Sequence, residues 1–216
     1  MSNELLIWRN RLPDISQNLS NWHSILQWRI NLFNNIKRNL RNVYDESRLA
    51  DITDIPWCTL QLVRTARKHQ YENVGLMISQ SLQNVTTLDV TDAFYKVREQ
   101  VLLCVSNNFN GNVTGGLNII NTTNLDFFTL EQRAEMFRLK GVCSSLLGNH
   151  HEAHDSYSRC VQLTGKGRNK DWISWSKLCY NIWEKEFFQN IENSEQKDMK
   201  EKNIQNKIEI DRKSVV

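Results

Sequence analysis

Residues 129–163, TLEQRAEMFRLKGVCSSLLGNHHEAHDSYSRCVQL, decide the fold class. Thr129 and Gln132 have the spacing of a capping box, in which the Thr hydroxyl accepts from a first-turn amide and the Gln side chain reaches back to the cap. The box predicts a helix from about 130 to 147, and Gly148-Asn149 predicts a turn before a second helix from about 150 to 163. The segment therefore encodes a helical hairpin.

The side chains of this hairpin alternate in size as closely packed helices require. Small residues let two helices approach, and aromatic residues fill the gaps that remain. Together with the turn, the spacing follows the tetratricopeptide pattern, although Lys140 stands where that pattern has Leu and no Pro closes the unit. The matching positions are Phe137, Gly141, Gly148, Ala153, Tyr157 and Cys160.

Apolar residues at steps of three and four predict further helices along the chain. Turns near residues 69, 111 and 148 recur at intervals of about 40 residues, which is typical of a helical repeat array. We therefore predict an all-α fold, an α-solenoid of tetratricopeptide-like hairpins. The additional helices are predicted at about 17–45, 56–70 and 72–83, from Asp89 or Asp92 to the break at 107–110, and at about 111–121 and 169–190.

Composition supports this fold class and excludes others. The chain has 216 residues with only 2 Pro and 8 Gly, too few turn residues for a many-stranded β-sandwich, and 40% hydrophobic residues, enough for an ordered core. A net charge of +3 does not demand a nucleic-acid partner. No run is apolar enough for a membrane span, and the first residues do not resemble a signal peptide.

Several residue types are predicted to be structural. The tryptophans on helices, Trp22, Trp28, Trp172, Trp175 and Trp183, are predicted to lie in the core, and the cations Arg29, Lys37, Arg38 and Arg41 to form a solvated helix face. Five widely spaced cysteines indicate reduced core thiols in an intracellular compartment. They are Cys58, Cys104, Cys143, Cys160 and Cys179.

Candidate catalytic and metal motifs are incomplete. His151 would need a second His at position 155 to form a zinc-protease helix, and that position is Asp. His150-x-Glu152 is not followed by the Pro-Cys-x-x-Cys of a deaminase zinc site. Phosphate-binding Gly-rich loops, nucleophile elbows and kinase signatures are also missing. We therefore assign no catalytic, cofactor-binding or metal-binding residue and expect no cofactor.

The N-terminal residues carry a family resemblance. Trp8-Arg-Asn-Arg-Leu-Pro13 leads into Leu19-Ser-Asn-Trp22, as in the FAT region of the phosphatidylinositol 3-kinase-related kinase superfamily. Within it, the chain resembles the pseudokinase family of large scaffolds in histone acetyltransferase complexes. The resemblance covers about residues 5–183. Further segments that match in order are Ala66-Arg-Lys68, Ile119-Ile120-Asn121-Thr122-Thr123-Asn124-Leu125, Leu139-Lys140-Gly141 and Trp172-x-x-Trp175.

The resemblance implies a non-catalytic, nuclear scaffold. Its partners would be the protein subunits of histone acetyltransferase complexes and transcriptional activators, with no direct nucleic-acid, membrane or small-molecule ligand. We expect two regions, a FAT-type repeat segment at 1–183 and a charged polar tail at 184–216 that does not match the family. We also expect the chain to be a fragment or a divergent short product.

Two alternative functions remain open from the sequence. The chain could be the FAT segment of an active kinase of the superfamily, or a stand-alone tetratricopeptide-like adaptor that binds peptides.

Overall fold

The computed structural model describes residues 3–45, 48–49, 53–82, 88–106 and 112–189, and every regular element in these ranges is helical. Contacts divide the chain into two units, Met1–Gly167 and Arg168–Val216. The first unit carries eight described α-helices and the second carries one. They are α1 Asn3–Asn10, α2 Leu19–Leu40, α3 Ile55–Lys68, α4 Glu72–Ser81, α5 Val90–Ser106, α6 Val113–Thr122, α7 Leu130–Leu146, α8 His150–Thr164 and α9 at residues 169–189.

Six of the eight helices of the first unit, α3 to α8, are arranged as three stacked hairpins. The pairs α3–α4, α5–α6 and α7–α8 each pack antiparallel, and the first helix of each pair also contacts the first helix of the next. The second helices α4 and α6 contact the first helix of the following pair. This neighbour-to-neighbour packing is the pattern of a helical repeat array, and it confirms the predicted all-α repeat fold.

Two apolar clusters hold the array together. The first joins α1, α2 and α3 and includes Trp22, Leu26 and Phe33. The second joins α5, α6 and α7 and includes Phe94, Met136 and Leu139. Because each cluster draws residues from three helices, burial rather than local helix propensity accounts for most of the stability of these helices.

The hairpin α7–α8 confirms the size pattern predicted from the sequence. Gly141 lies against the buried ring of Tyr157, and a Cβ at position 141 would lie 2.9 Å from two ring carbons. Ala153 and Cys160 are fully buried on α8. Lys140, which departs from the tetratricopeptide pattern, forms an ion pair with Glu152 at 3.3 Å between Nζ and a carboxylate oxygen, so this departure is accommodated across the hairpin.

Helix boundaries follow the sequence signals in most places. The capping box at Thr129 is present in both directions, with the Gln132 amide donating to the Thr hydroxyl at 3.3 Å. The Asp54 side chain, however, does not cap α3, because it pairs with Arg9. Helix α1 was not predicted, since its eight residues are too few for a clear periodic pattern.

Some predictions fall on residues outside the described ranges. These include the turn at Gly111, the polar break at Asp51 and the tail from residue 190 onward. The division at 183/184 stays a prediction. No helix within the described ranges is both long and apolar enough to cross a membrane.

Removing the cap at Thr129 tests whether the sequence signal acts as the structure shows. Thr129→Ala leaves first-turn amides of α7 without their acceptor and is expected to lower the free energy of unfolding by about 1 kcal/mol. Denaturant unfolding of the full chain measures the change. Thr91→Ala, at an exposed position in the first turn of α5, is the control. Equal stability of both variants would contradict a capping role.

Candidate interaction surfaces

An arginine links the N-terminal helix to the start of the hairpin array. Arg9 on α1 donates two hydrogen bonds to the Asp54 carboxylate, from Nε at 2.8 Å and from Nη2 at 2.6 Å. Its guanidinium also lies over the Trp57 ring, 4.9 Å from the centroid. A bidentate ion pair with an aromatic ring beneath the guanidinium fixes both the position and the orientation of the Arg9 side chain. Arg9 therefore holds α1 against the N-terminal end of α3.

A second arginine in this region corrects a sequence prediction. Arg29 was expected on a solvated face with Lys37, Arg38 and Arg41, but it is buried, whereas those three cations are exposed. Its Nη2 donates to the Arg11 carbonyl at 2.6 Å, and its guanidinium lies 5.9 Å from the centre of the Trp8 ring. Arg29 thus holds the loop between α1 and α2 in place, a role that no charge pattern on α2 could indicate.

A ladder of ion pairs crosses the three first helices of the hairpins. Glu99 on α5 accepts from Arg67 on α3 at 2.8 Å and from its neighbour Arg98 at 2.6 Å. Glu135 on α7 accepts from Arg98 at 3.4 Å and from Arg138 at 2.7 Å. We call these five residues the arginine ladder. It contains three cations and two anions, so it carries one net positive charge.

Burial differs between the two kinds of group in the arginine ladder. Glu99 and Glu135 are only 3% and 2% exposed, whereas the three guanidinium groups are partly exposed at its edge. Buried carboxylates are tolerated only when they are paired and hydrogen-bonded. The arginine ladder therefore joins consecutive hairpins. Its partly exposed arginines form a positively charged edge at the surface, and its two carboxylates lie buried beneath them.

A shallow cleft lies between α2, α3 and α4. Its volume is about 380 Å³, and its walls combine apolar residues such as Ile30 and Leu62 with polar ones such as His23, Gln27 and Ser81. Catalytic centres usually bring together titratable groups with perturbed pKa values. Among the described residues, the lining includes one histidine and no carboxylate or thiol, and these residues offer a mixed apolar and polar contact surface.

Histidine and cysteine side chains are the groups of this chain best suited to metal binding and nucleophilic chemistry. His151 pairs with Asp155 one turn away at 3.3 Å on an exposed surface. Across the described ranges, no three His, Cys, Asp or Glu side chains are placed to hold a metal ion. Burial raises the pKa of Cys58 to about 12 and that of Cys143 to about 11, so both thiols are protonated and poorly nucleophilic at neutral pH.

None of the five cysteines, all within the described ranges, forms a disulfide, and their burial agrees only in part with the prediction of core thiols. Cys58, Cys143 and Cys160 are buried and Cys104 is half-buried, but Cys179 on α9 is exposed. Its neighbour Leu178 is buried whereas Tyr180 is exposed, because consecutive residues of a helix point in different directions, so apolar neighbours in sequence did not indicate burial of Cys179.

The tryptophans also divide into buried and exposed groups. Trp22 is buried at 5% exposure, as predicted, but Trp28, Trp172 and Trp183 are about half exposed. On α9, Trp172 stacks on Trp175 with ring centroids 5.6 Å apart. Trp183 stacks on Phe187 at 5.3 Å. The prediction that all of them lie in the core is therefore wrong, and α9 presents an aromatic surface.

Stacked helical hairpins with ion pairs, a shallow cleft and exposed rings define the α-solenoid class of repeat proteins, which recognise partners through extended surfaces. The FAT domain family model matches residues 2–210. The chain therefore belongs to the FAT domain family, as the sequence resemblance implied.

The similar curated proteins are transcription-associated. The chain is 32% identical over 183 residues to Transcription-associated protein 1 of Drosophila melanogaster, covering 83% of this chain and 5% of that protein. It is 31% identical over 187 residues to the Transformation/transcription domain-associated protein of Mus musculus, covering 83% of this chain and 7% of that protein. It is 28% identical over 183 residues to the SAGA complex/NuA4 acetyltransferase complex subunit TRA1 of Saccharomyces cerevisiae, covering 79% of this chain and 5% of that protein.

The chain thus spans 5–7% of the length of these relatives. Their names identify them as transcription-associated proteins and, in yeast, as an acetyltransferase complex subunit.

Sequence reasoning missed the two long-range charge systems. Arg9 and Asp54 are 45 residues apart, and the arginine ladder joins helices more than 30 residues apart. One signal was available: Glu99 and Glu135 each interrupt the apolar face of a predicted helix, with Arg98 adjacent to the first and Arg138 three residues after the second. A carboxylate at a core position needs a cationic partner. The identity of that partner depends on packing.

Proposed function

We propose that this chain is a non-catalytic scaffold segment of a nuclear histone acetyltransferase coactivator complex. It binds protein subunits of such a complex and transcriptional activators through the surfaces of its stacked hairpins. The observation that carries the proposal is the extent of similarity to transcription-associated proteins, 183 aligned residues at 32% identity, which is too long to reflect one repeat unit alone.

The geometry supports a binding role over a chemical one. The described surfaces consist of a cationic ladder edge, a mixed shallow cleft and exposed aromatic rings, which are contact features. Contacts spread over a repeat array give specificity through many weak interactions. The chain would then contribute position and binding surface, while the acetyl transfer takes place on another subunit.

Affinity purification with an activity assay tests this proposal. The full chain is expressed with a tag in its source cells, and the eluate is incubated with nucleosomes and labelled acetyl-CoA. We expect histone acetylation at least about tenfold above an untagged control. Leu139→Asp, which places a charge in the fully buried core of α7, is the second control and should lose the activity together with the fold.

Two outcomes would overturn the proposal. Recovery of the folded chain without acetyltransferase activity would contradict membership in such a complex. Phosphorylation of added protein substrates by the eluate, without acetylation, would instead favour the FAT segment of an active kinase. Cell fractionation in the same experiment tests the nuclear location.

A further inference from the structure

Helix α9 is apolar on two different sides. Asp171 and Leu178 are buried on one side, and Asp171 closes the first turn by accepting from the Arg168 amide at 3.0 Å. The other side carries Trp172, Tyr180 and Trp183, which are 48–57% exposed. An amphipathic helix with a single buried face has polar residues opposite that face. The apolar character of both sides of α9 therefore indicates a partner for the exposed side.

The exposed side forms one continuous stripe. Its positions follow steps of three and four residues over four turns, or about 22 Å of helix. Ring contacts link neighbours along it, with Tyr180 and Trp183 centroids 6.1 Å apart and Trp183 and Phe187 centroids 5.3 Å apart. We call this stripe the α9 aromatic face. It consists of Trp172, Ser176, Cys179, Tyr180, Trp183 and Phe187, with Ile173 beside it.

The area of the α9 aromatic face is large for a free surface. Five large apolar side chains, four of them aromatic, are each about half exposed, and an aromatic side chain presents about 150–250 Å². The face therefore exposes on the order of 500 Å² of apolar area. Stable interfaces bury about 800 Å² on each partner, so this face with its polar edges is close to the size of one interface.

The order of large and small residues fits a second copy of the same helix. Consider an antiparallel pair of α9 helices with a twofold axis between Cys179 and Tyr180. A residue that lies a given number of positions before the axis in one copy then faces the residue that lies the same number of positions after the axis in the other copy. Trp183 then faces Ser176 of the other copy, a large ring opposite a small side chain. Trp172 faces Phe187, and Cys179 faces Tyr180. The Trp183–Ser176 and Tyr180–Cys179 pairs place a large residue opposite a small one, as close helix packing requires, whereas Trp172 and Phe187 bring two rings together at each end of the interface.

Charges beside the stripe support the same arrangement. Lys177 and Glu184 are two helical turns apart and lie on the same flank of the α9 aromatic face. In the antiparallel pair, Lys177 of one copy comes to within two residues of the level of Glu184 of the other, and symmetry produces this pair twice.

We propose that two copies of this chain associate through the α9 aromatic face, antiparallel and twofold symmetric, with two Lys177–Glu184 ion pairs at the edges. This interface is separate from the proposed scaffold role and does not depend on it. A face of this size, with few charged contacts, is expected to give reversible association rather than a permanent dimer.

Sedimentation velocity of the full chain over a concentration series tests the proposal. We expect a reversible dimer and its loss in Trp183→Glu, because that charge would be buried against Ser176 of the other copy. Trp28→Glu is the matched control, since Trp28 is 59% exposed, as Trp183 is at 57%, but lies on α2. It should associate like the unmodified chain. Circular dichroism checks that each variant is folded.

Charge reversal tests the register. Lys177→Glu and Glu184→Lys should each weaken association about tenfold, because each creates two like-charge pairs at the edges. The double variant Lys177→Glu/Glu184→Lys should restore association to within about threefold of the unmodified chain. A double variant that is weaker than either single one would overturn the antiparallel register.

Cysteine cross-linking gives an independent readout. Cys179 is exposed and lies beside the proposed twofold axis, so a short bismaleimide should join two copies at twice the monomer mass of 25.4 kDa. Cys179→Ser should abolish this product. A chain that stays monomeric at about 200 µM, for example because residues 190–216 or another protein cover the face, would overturn the proposal. Equal loss of association in Trp28→Glu and Trp183→Glu would overturn it as well.

Discussion

Trp22→Ala is expected to lower the free energy of unfolding by about 3–5 kcal/mol, the range for removing a buried Trp side chain. Trp22 lies in the apolar cluster that joins α1, α2 and α3. Its indole Nε1 also donates to the Asp14 carbonyl at 3.1 Å, which holds the loop before α2 against that helix. The substitution removes both the packing and this hydrogen bond.

Trp28→Ala is the matched control for this prediction. Both residues are tryptophans on α2, but Trp28 is 59% exposed and Trp22 only 5%. We expect the control to cost less than about 1 kcal/mol, as is usual for surface substitutions. Urea denaturation followed by circular dichroism measures both variants. Similar losses in the two would contradict the assignment of Trp22 as the anchor of the N-terminal cluster.

Glu135→Ala is expected to lower the free energy of unfolding by about 3 kcal/mol. Glu135 is the carboxylate that lies between Arg98 and Arg138, and its loss removes the anion that these two guanidinium groups share, although Arg98 keeps its ion pair with Glu99. Removing one partner of a buried charge system costs about 3–5 kcal/mol. Because these arginines can reach solvent, we expect the lower end of that range.

Glu131→Ala provides the comparison on the same helix. Glu131 lies in the first turn of α7 and is exposed, so its loss removes only a weak favourable interaction with the helix dipole. The expected cost is below about 1 kcal/mol. If the two Glu variants unfold at the same denaturant concentration, Glu135 does not hold the hairpins together.

Local signals predicted the helices well because they act within one turn. The Thr129 capping box and the small residues of the α7–α8 hairpin depend on neighbours three or four positions away, and both are present as expected. The family resemblance at Trp8 to Pro13 likewise agrees with the FAT match. All of these features depend on residues that are close to one another in the sequence.

The contacts between helices could not be predicted in the same way. Arg29 was expected in solvent and is buried, because the loop between α1 and α2 folds over it. Trp172 and Trp183 were expected in the core and are exposed, since apolar periodicity shows that a helix has an apolar side without showing what covers it. Partner choice is decided by three-dimensional packing.

The arginine ladder also determines how the repeat array responds to force. Glu99 holds guanidinium groups from α3 and α5, and Glu135 holds groups from α5 and α7. Bending the array at either junction would stretch charge-assisted hydrogen bonds on buried carboxylates, which cannot exchange them for water. We therefore expect the three hairpins to resist bending at the junctions of α3 with α5 and of α5 with α7.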